Sequence, residues 1–358
     1  MRPDTPTFSS NDDTQADFDV PRFLEYVAAK LPHLASAIAV GRVSLKRIAG
    51  GQSNPTFFIT IGGNEYVLRK APNGTRLPGA HAVDREYRIM DALYGRGVPV
   101  PKMVLLENDP DVLGARFYLM ERLDGEVVHT SLLPDHSPEQ RRAIYADKAK
   151  VLANLHQVDL EAAGLTDYGR QGPFFTRQIY RWTKQWELSK TRELPEIDEV
   201  AQWLKENDKG DETSTIVHGD YRIGNLMLHR DEPQIIGVLD WELSTIGHPL
   251  ADLAHAVCMW HITPEEYGGL LGADLARLGI PGRAQFEETY MTAAGLSNGL
   301  TTFHHAFALF RMAVIFEGIA ARALAGTASS DNAHTVGALS AVLARRAAEI
   351  IASDRALA

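Results

Sequence analysis

The chain has 358 residues, 45% of them apolar, which is enough to bury a large core and to form two lobes. Lys and Arg number 36 against 46 Asp and Glu, and the resulting net charge of −10 disfavours nucleic acid and anionic membrane as partners. The single cysteine, Cys258, excludes an intramolecular disulfide framework and a multi-cysteine metal cage, fits a reducing compartment, and lies in an apolar run that reads as core.

Residues 1–18 are polar and acidic, carry no apolar stretch that could act as a signal peptide, and read as a disordered tail. Asp19 before Val20-Pro21 is an N-cap followed by an early helical proline, and Phe23, Val27 and Leu31 continue an apolar stripe at helical spacing. Strand-like runs at 43–48, 56–61 and 66–69, broken by Gly51 and Gly62-Gly63, predict an antiparallel meander. A helix over 81–94, a break at Pro99-Val100-Pro101, and strands over 103–106 and 117–120 complete a first lobe spanning 19–122. Asp124-Gly125 then leads into a second lobe, 123–358, that is mostly helical from 138–156 onward. The expected class is α+β: a small antiparallel β lobe with one inserted helix, then a larger helical lobe. The longest apolar stretch, 306–325, is interrupted by Arg311, Glu317 and Arg322, so it reads as a buried helix of a soluble, cytoplasmic protein. Oligomeric state has no signature in the sequence.

Within the helical lobe, 216–241 forms a compact β island: His218-Gly219-Asp220-Tyr221-Arg222-Ile223-Gly224-Asn225, a strand over 226–229, a turn, and a strand over 235–239 ending at Asp240. If the hairpin is centred near Glu232-Pro233, Asn225 and Asp240 lie roughly opposite each other and share one face. An amide and a carboxylate converging there make an oxygen-rich site suited to Mg²⁺, which retains waters that phosphate oxygens can replace. Asp220, on the loop five residues before Asn225, can then face a substrate hydroxyl. Phosphoryl transfer asks for this kind of positioning and charge neutralisation more than for covalent chemistry.

His218-Gly219-Asp220 with Asn225, Leu239-Asp240-Trp241-Glu242, and Gly247-His248-Pro249-Leu250-Ala251-Asp252-Leu253 resemble the signature of the aminoglycoside phosphotransferase and choline kinase group, distant relatives of protein kinases. The resemblance covers about 37–325. It implies Asp220 as catalytic base, Asn225 and Asp240 as Mg²⁺ ligands, and a two-lobed protein-kinase-like fold with ATP in the cleft and a small hydroxylated molecule as acceptor. Within the group the chain is most similar to the kinase-like domain attached to some acyl-CoA dehydrogenases, through Arg181-Trp182-Thr183-Lys184-Gln185-Trp186 and Gly51-Gln52-Ser53-Asn54-Pro55-Thr56.

A kinase of this kind needs a cation on the third strand, held by an acid on the neighbouring helix, to grip the nucleotide phosphates. Glu86 falls within the apolar stripe of Val83, Met90 and Leu93, where a carboxylate is costly unless paired. The cation is Arg69 or Lys70, which point to opposite faces of their strand. Similarity to choline kinases, in which an arginine can take this position, favours Arg69, with Val67 on the same face as an adenine contact. Gly51, Gln52, Ser53 and Asn54 are the expected phosphate-covering loop, and the backbone of Glu121-Arg122-Leu123 the expected adenine hinge. Asp252 caps backbone N–H groups or braces the catalytic loop, and His218 orients it.

Rival readings are weaker. Gly295-Leu296-Ser297-Asn298-Gly299 matches the spacing of a hydrolase nucleophile elbow, but that elbow must follow a strand and the preceding residues read as helix. A nucleotide-binding protein without transferase activity would not need Asp220, Asn225 and Asp240 together. For the acceptor, an aminoglycoside would require clustered acids. Arg181, Trp182, Trp186, Trp241 and Arg311 instead suggest a pocket for a hydroxyacyl compound with an anionic end.

Overall fold

A computed structural model describes residues 16–48, 54–72, 83–327 and 332–357, so the expected phosphate-loop positions Gly51, Gln52 and Ser53, and residues 1–15 of the tail, lie outside the described residues. The chain divides into two compact units. The first runs to Tyr94 and resumes over Val100–Asp124; the second comprises Gly95–Pro99 and everything from Gly125 onward.

In the first unit, α1 (Val20–Lys30) starts as the capping chemistry dictates, with the Asp19 carboxylate accepting the Arg22 N–H. After a short α2 (Ala35–Ala39), the strands β1 (Val43–Arg47), β2 (Thr56–Ile61), β3 (Asn64–Lys70), β4 (Met103–Glu107) and β5 (Phe117–Glu121) form one antiparallel sheet in the order β1-β2-β3-β5-β4. The helix α3 (Val83–Leu93) is inserted between β3 and β4. Alternation along the strands divides the sheet into two faces. Phe57, Ile59, Ile61, Leu68, Phe117 and Leu119 pack with Phe23, Leu24 and Val27 of α1 into one apolar cluster. Each such buried side chain contributes roughly 1.5–3 kcal/mol.

Lys70 lies on that same α1 face as Leu68. It is fully buried, paired with Asp17 at 2.7 Å and placed over the Phe18 ring. Phe18 in turn meets Phe23 and Phe57 edge-on. The last residues of the expected tail, 16–18, are therefore ordered parts of this core, because a buried ammonium needs the Asp17 carboxylate.

In the second unit the helices dominate. α4 (Pro138–His156) opens with a full capping box, Ser137 accepting from Gln140 N while the Gln140 side chain accepts from Ser137 N. There follow α5 (Phe174–Ser189), α6 (Pro195–Asn207), α7 (Pro249–Val257), two single turns α8 (Pro264–Tyr267) and α9 (Leu275–Leu278), then α10 (Arg283–Ala294), α11 (Thr302–Leu324) and α12 (Ala333–Leu357). A methyl group at Gly337 would sit 2.7 Å from Ala320 Cβ, which shows how closely α12 approaches α11. No described helix is long and apolar enough to cross a membrane. Gly295 ends α10 in a left-handed C-cap, so the Ser297 segment follows a helix and lacks the strand that a nucleophile elbow needs.

Two small sheets carry the island. β7 (Thr215–Val217) pairs with β10 (Thr245–Gly247), closing the neck of the excursion from 218 to 244. Inside it, β8 (Leu226–His229) is flanked by β9 (Ile235–Val238) and by β6 (Gly125–Val127), a strand the sequence pattern does not announce. Only glycine fits at Gly125, where a Cβ would lie 2.5 Å from Leu228 O.

Candidate active site

The Asp220 loop leaves β7 through His218 and Gly219. Gly219 has φ +85°, and a Cβ there would come within 2.7 Å of Leu243 O, so both conformation and space demand glycine. The loop is held by its backbone. Asp252, in the first turn of α7, is buried and accepts the N–H of His218 and, at 2.8 Å, that of Gly219. His218 Nδ1 accepts the Asp220 N–H at 3.2 Å, and its Nε2 faces Leu239 O at 2.8 Å, tying the loop to the end of β9. From α11, Arg311 donates to Gly219 O at 2.7 Å.

The Asp220 side chain is ringed by donors. Asn225 Nδ2 gives 2.8 Å bonds to the Asp220 carbonyl and to Oδ2, Arg222 Nε reaches Oδ2 at 3.4 Å, and His255 Nε2 meets Oδ1 at 2.9 Å. Burial by itself would raise the pKa of Asp220. The His255 hydrogen bond and the Arg222 charge outweigh burial and hold the carboxyl below its ordinary range. His255 itself is lowered by burial, which Asp220 opposes. Asp252 is likewise pushed up by burial but held below its usual value, chiefly by His156, which in turn contacts Tyr290.

Asn225 and Asp240 meet differently from the sequence expectation. The register pairs Leu226 with Val238 and Met227 with Gly237, then slips at a bulge so that Leu228 faces Ile235. Asn225 therefore stands opposite Leu239, whose N–H it accepts at 2.9 Å, and Asp240 is one residue further on. Asp240 adopts the left-handed conformation, φ +64° and ψ +60°, rare for a residue with a side chain and costing on the order of 1–3 kcal/mol. Because Asn225 spends its amide N–H on Asp220, its carbonyl oxygen is the atom left for a cation.

In the first unit, Glu86 is 2% exposed and, among the described residues, accepts from Asn54 Nδ2 and Tyr118 OH and forms an ion pair with Arg69 Nε, each at 3.0 Å. The register explains the set, since Arg69 pairs directly with Tyr118 across β3 and β5 and both project to the α3 face, opposite Lys70. Asn54 is 1% exposed and its side chain is a brace of Glu86, so as a phosphate donor it has only its backbone to offer. Val67 shares the Arg69 face and is 7% exposed. At the expected hinge, the N–H of Glu121 goes to Lys102 O and that of Arg122 to Glu65 O.

Arg181 and Arg311 lie over the Trp182 ring, 5.3 and 5.5 Å from its centroid. Trp186 and Trp241, in contrast, are core residues at 1% exposure, with their indole N–H groups bonded to Asp198 and Val238 O, so they line no pocket. Cys258 is buried with its thiol pushed up to about 12 by burial, an inert core residue. A cavity of about 840 Å³ beside α6 and α12 includes Trp203, Arg345 and Arg355 but neither Asp220 nor Asn225.

Comparison with known proteins decides the family. The profile described as "Phosphotransferase enzyme family" matches residues 44–289. The chain belongs to this family. Among relatives of this phosphotransferase, "Acyl-CoA dehydrogenase family member 10" of Mus musculus is 39% identical over 321 residues, covering 88% of this chain but 30% of its own. "Acyl-CoA dehydrogenase family member 11" of Gallus gallus is 37% identical over 343 residues, 94% of this chain and 44% of its own. The chain thus spans less than half the length of these relatives. A solved structure from Ralstonia eutropha, described as a "putative aminoglycoside phosphotransferase", has 41% identity and a TM-score of 0.84, covering 94% of this chain and 99% of that one. The aminoglycoside phosphotransferase APH(4)-Ia, at 16% identity and a TM-score of 0.59, shares the fold, covering 87% of this chain and 95% of its own.

His255, Arg222 and Tyr118 are the site residues that sequence reasoning missed, and Arg311, expected only as part of an acceptor pocket, also holds the Asp220 loop. Asp252 and His255 stand three apart on α7 and so face the same loop, a spacing visible in the sequence once the helix is known.

Proposed function

We propose that this phosphotransferase moves the terminal phosphate of ATP to a hydroxyl of a small acyl compound, with Asp220 as catalytic base. The observation that carries the reading is the Asp220 carboxylate, kept ionised and aimed by Asn225, Arg222 and His255. The acceptor oxygen forms the new P–O bond, the bond to the ADP oxygen breaks, and the hydroxyl proton passes to Asp220. Asn225, through its carbonyl oxygen, and Asp240 would hold a Mg²⁺ ion, which when bound neutralises charge on the phosphate oxygens.

Arg69, held by Glu86, would contact the nucleotide phosphates, with the backbone around Gly51–Ser53 and Asn54 above them. Val67 and the Glu121–Leu123 backbone would meet adenine. A solved APH(4)-Ia complex contains AMP-PNP and hygromycin B, and this supports a nucleotide triphosphate as donor. The single, buried cysteine supports a reducing, cytoplasmic setting.

For the acceptor, the two guanidiniums over Trp182, one of them bonded to the Asp220 loop, favour a hydroxyacyl compound with an anionic end. A polycationic aminoglycoside would meet like charge at Arg181, Arg222 and Arg311. Screening hydroxyacyl-CoAs and free hydroxy acids beside aminoglycosides, with ADP release as the readout, tests this. Turnover of the acyl set is expected; turnover of aminoglycosides alone would reverse the assignment.

A further inference from the structure

We infer that His255 is a positioning residue for the transfer proposed above: its Nε2–H fixes the Asp220 carboxylate so that one lone pair of Oδ1 is left for the acceptor hydroxyl. The inference rests on Asp220 being the base. An ionised carboxylate only accepts, so at 2.9 Å the imidazole Nε2 must carry the proton. The ring's Nδ1 is buried and has no hydrogen-bond partner among the described residues. A second proton there would be an unsatisfied buried donor facing the Arg311 charge, against which only Asp220 and Asp252 pull. His255 is thus a neutral donor with one defined tautomer.

Counting lone pairs gives its consequence. A carboxylate offers about four acceptor positions. Asn225 and Arg222 fill the two on Oδ2, and His255 fills one on Oδ1. The fourth, on Oδ1, is the place where a hydroxyl can give up its proton. Without His255 the carboxylate can rotate about its Cβ–Cγ bond, and the open position is no longer aimed. The brace is itself rigid, because His255 is 6% exposed and sits one turn after Asp252, which holds the same loop by its backbone.

The test compares wild type, H255L, H255Q and H255N by ADP release with ATP, Mg²⁺ and a hydroxyacyl-CoA acceptor between pH 5 and 9, alongside thermal unfolding. Glutamine Nε2 can stand where imidazole Nε2 stands, whereas the asparagine amide is one carbon too short. H255L should lower kcat about 10- to 100-fold while leaving KM for ATP within about twofold. H255Q should recover most of the lost turnover and H255N should not. Wild-type kcat in H255L overturns the inference, as does equal behaviour of the Gln and Asn variants. That second comparison decides the matter if H255L fails to fold. A wild-type chain that transfers no phosphate to the acyl, hydroxy-acid or aminoglycoside acceptors overturns both the function and this inference. Normal wild-type turnover, lost in D220N but untouched in the His255 variants, removes the inference alone.

Discussion

Two carboxylates, Glu86 in the first unit and Asp220 in the second, each meet three polar side chains among the described residues, yet they are built in different ways. Glu86 projects from α3, and two of its partners, Arg69 and Tyr118, are placed by the register of β3 and β5. The regular ladder does the positioning, and the side chains only have to be the right type. Asp220 sits on a loop with no ladder of its own, so other elements fix its backbone, Asp252 from α7, Leu239 through His218 and Arg311 from α11, while His255, also from α7, holds the side chain. A group on a loop therefore needs a brace for its backbone as well as for its charge.

That contrast can be broken at its strongest point first. Asp252→Ala removes the acceptor of two buried N–H groups, each charge-assisted, and should cost roughly 3–5 kcal/mol, read as a lowered unfolding midpoint in urea. Activity should fall with it, even though Asp252 touches no substrate. An unchanged midpoint would mean that the loop is held some other way.

Glu86→Leu should do less to the fold and more to the nucleotide. It leaves Arg69 without its carboxylate, but Arg69 is 18% exposed and can turn toward water, so a loss of about 2–3 kcal/mol is expected. KM for ATP should rise about tenfold while acceptor KM stays put. A larger effect on the acceptor would contradict the assigned roles.

The smallest effect concerns pH. His261, His304 and His305 are lowered to about 4, 4 and 3, first by burial and then by nearby positive charge such as Arg283 beside His261 and His305. Their unfolded values lie near 6.5, so below that pH the unfolded chain binds protons that the folded one does not. Stability should therefore be full above about pH 6.5 and fall progressively toward about pH 4, with a thermal midpoint roughly 5 °C lower at pH 5 than at pH 7. A flat profile over that range would show that these rings are solvated in the folded state.

The same contrast explains what the sequence reveals. Alternation gives β2 and β3 almost to the residue, Ser137-Pro138 with Gln140 gives the start of α4, and Asp220, Asn225 and Asp240 are visible as a spaced set. Choosing Arg69 over Lys70 needed a resemblance, because alternation says that they face apart but not which face meets α3. The hairpin register came out one residue off, because the turn is centred between Asp231 and Glu232, as the His229–Gln234 pair shows, and the bulge between Met227 and Leu228 makes up only part of that shift. That the Asn54 side chain also braces Glu86 was not legible in the loop, since that partner lies 32 residues away. His255 was hidden for a like reason, and so was the bond of Arg311 to the Asp220 loop: each lies in an apolar helix where its polar partner is 35 or 92 residues distant.

The most direct test of the central claim is Asp220→Asn, which keeps the shape of the loop and removes the base. Phosphorylated acceptor, measured by mass after incubation with ATP and Mg²⁺, should fall at least about 100-fold relative to the native chain, with the unfolding midpoint little changed. Native product yield in Asp220→Asn would contradict the account.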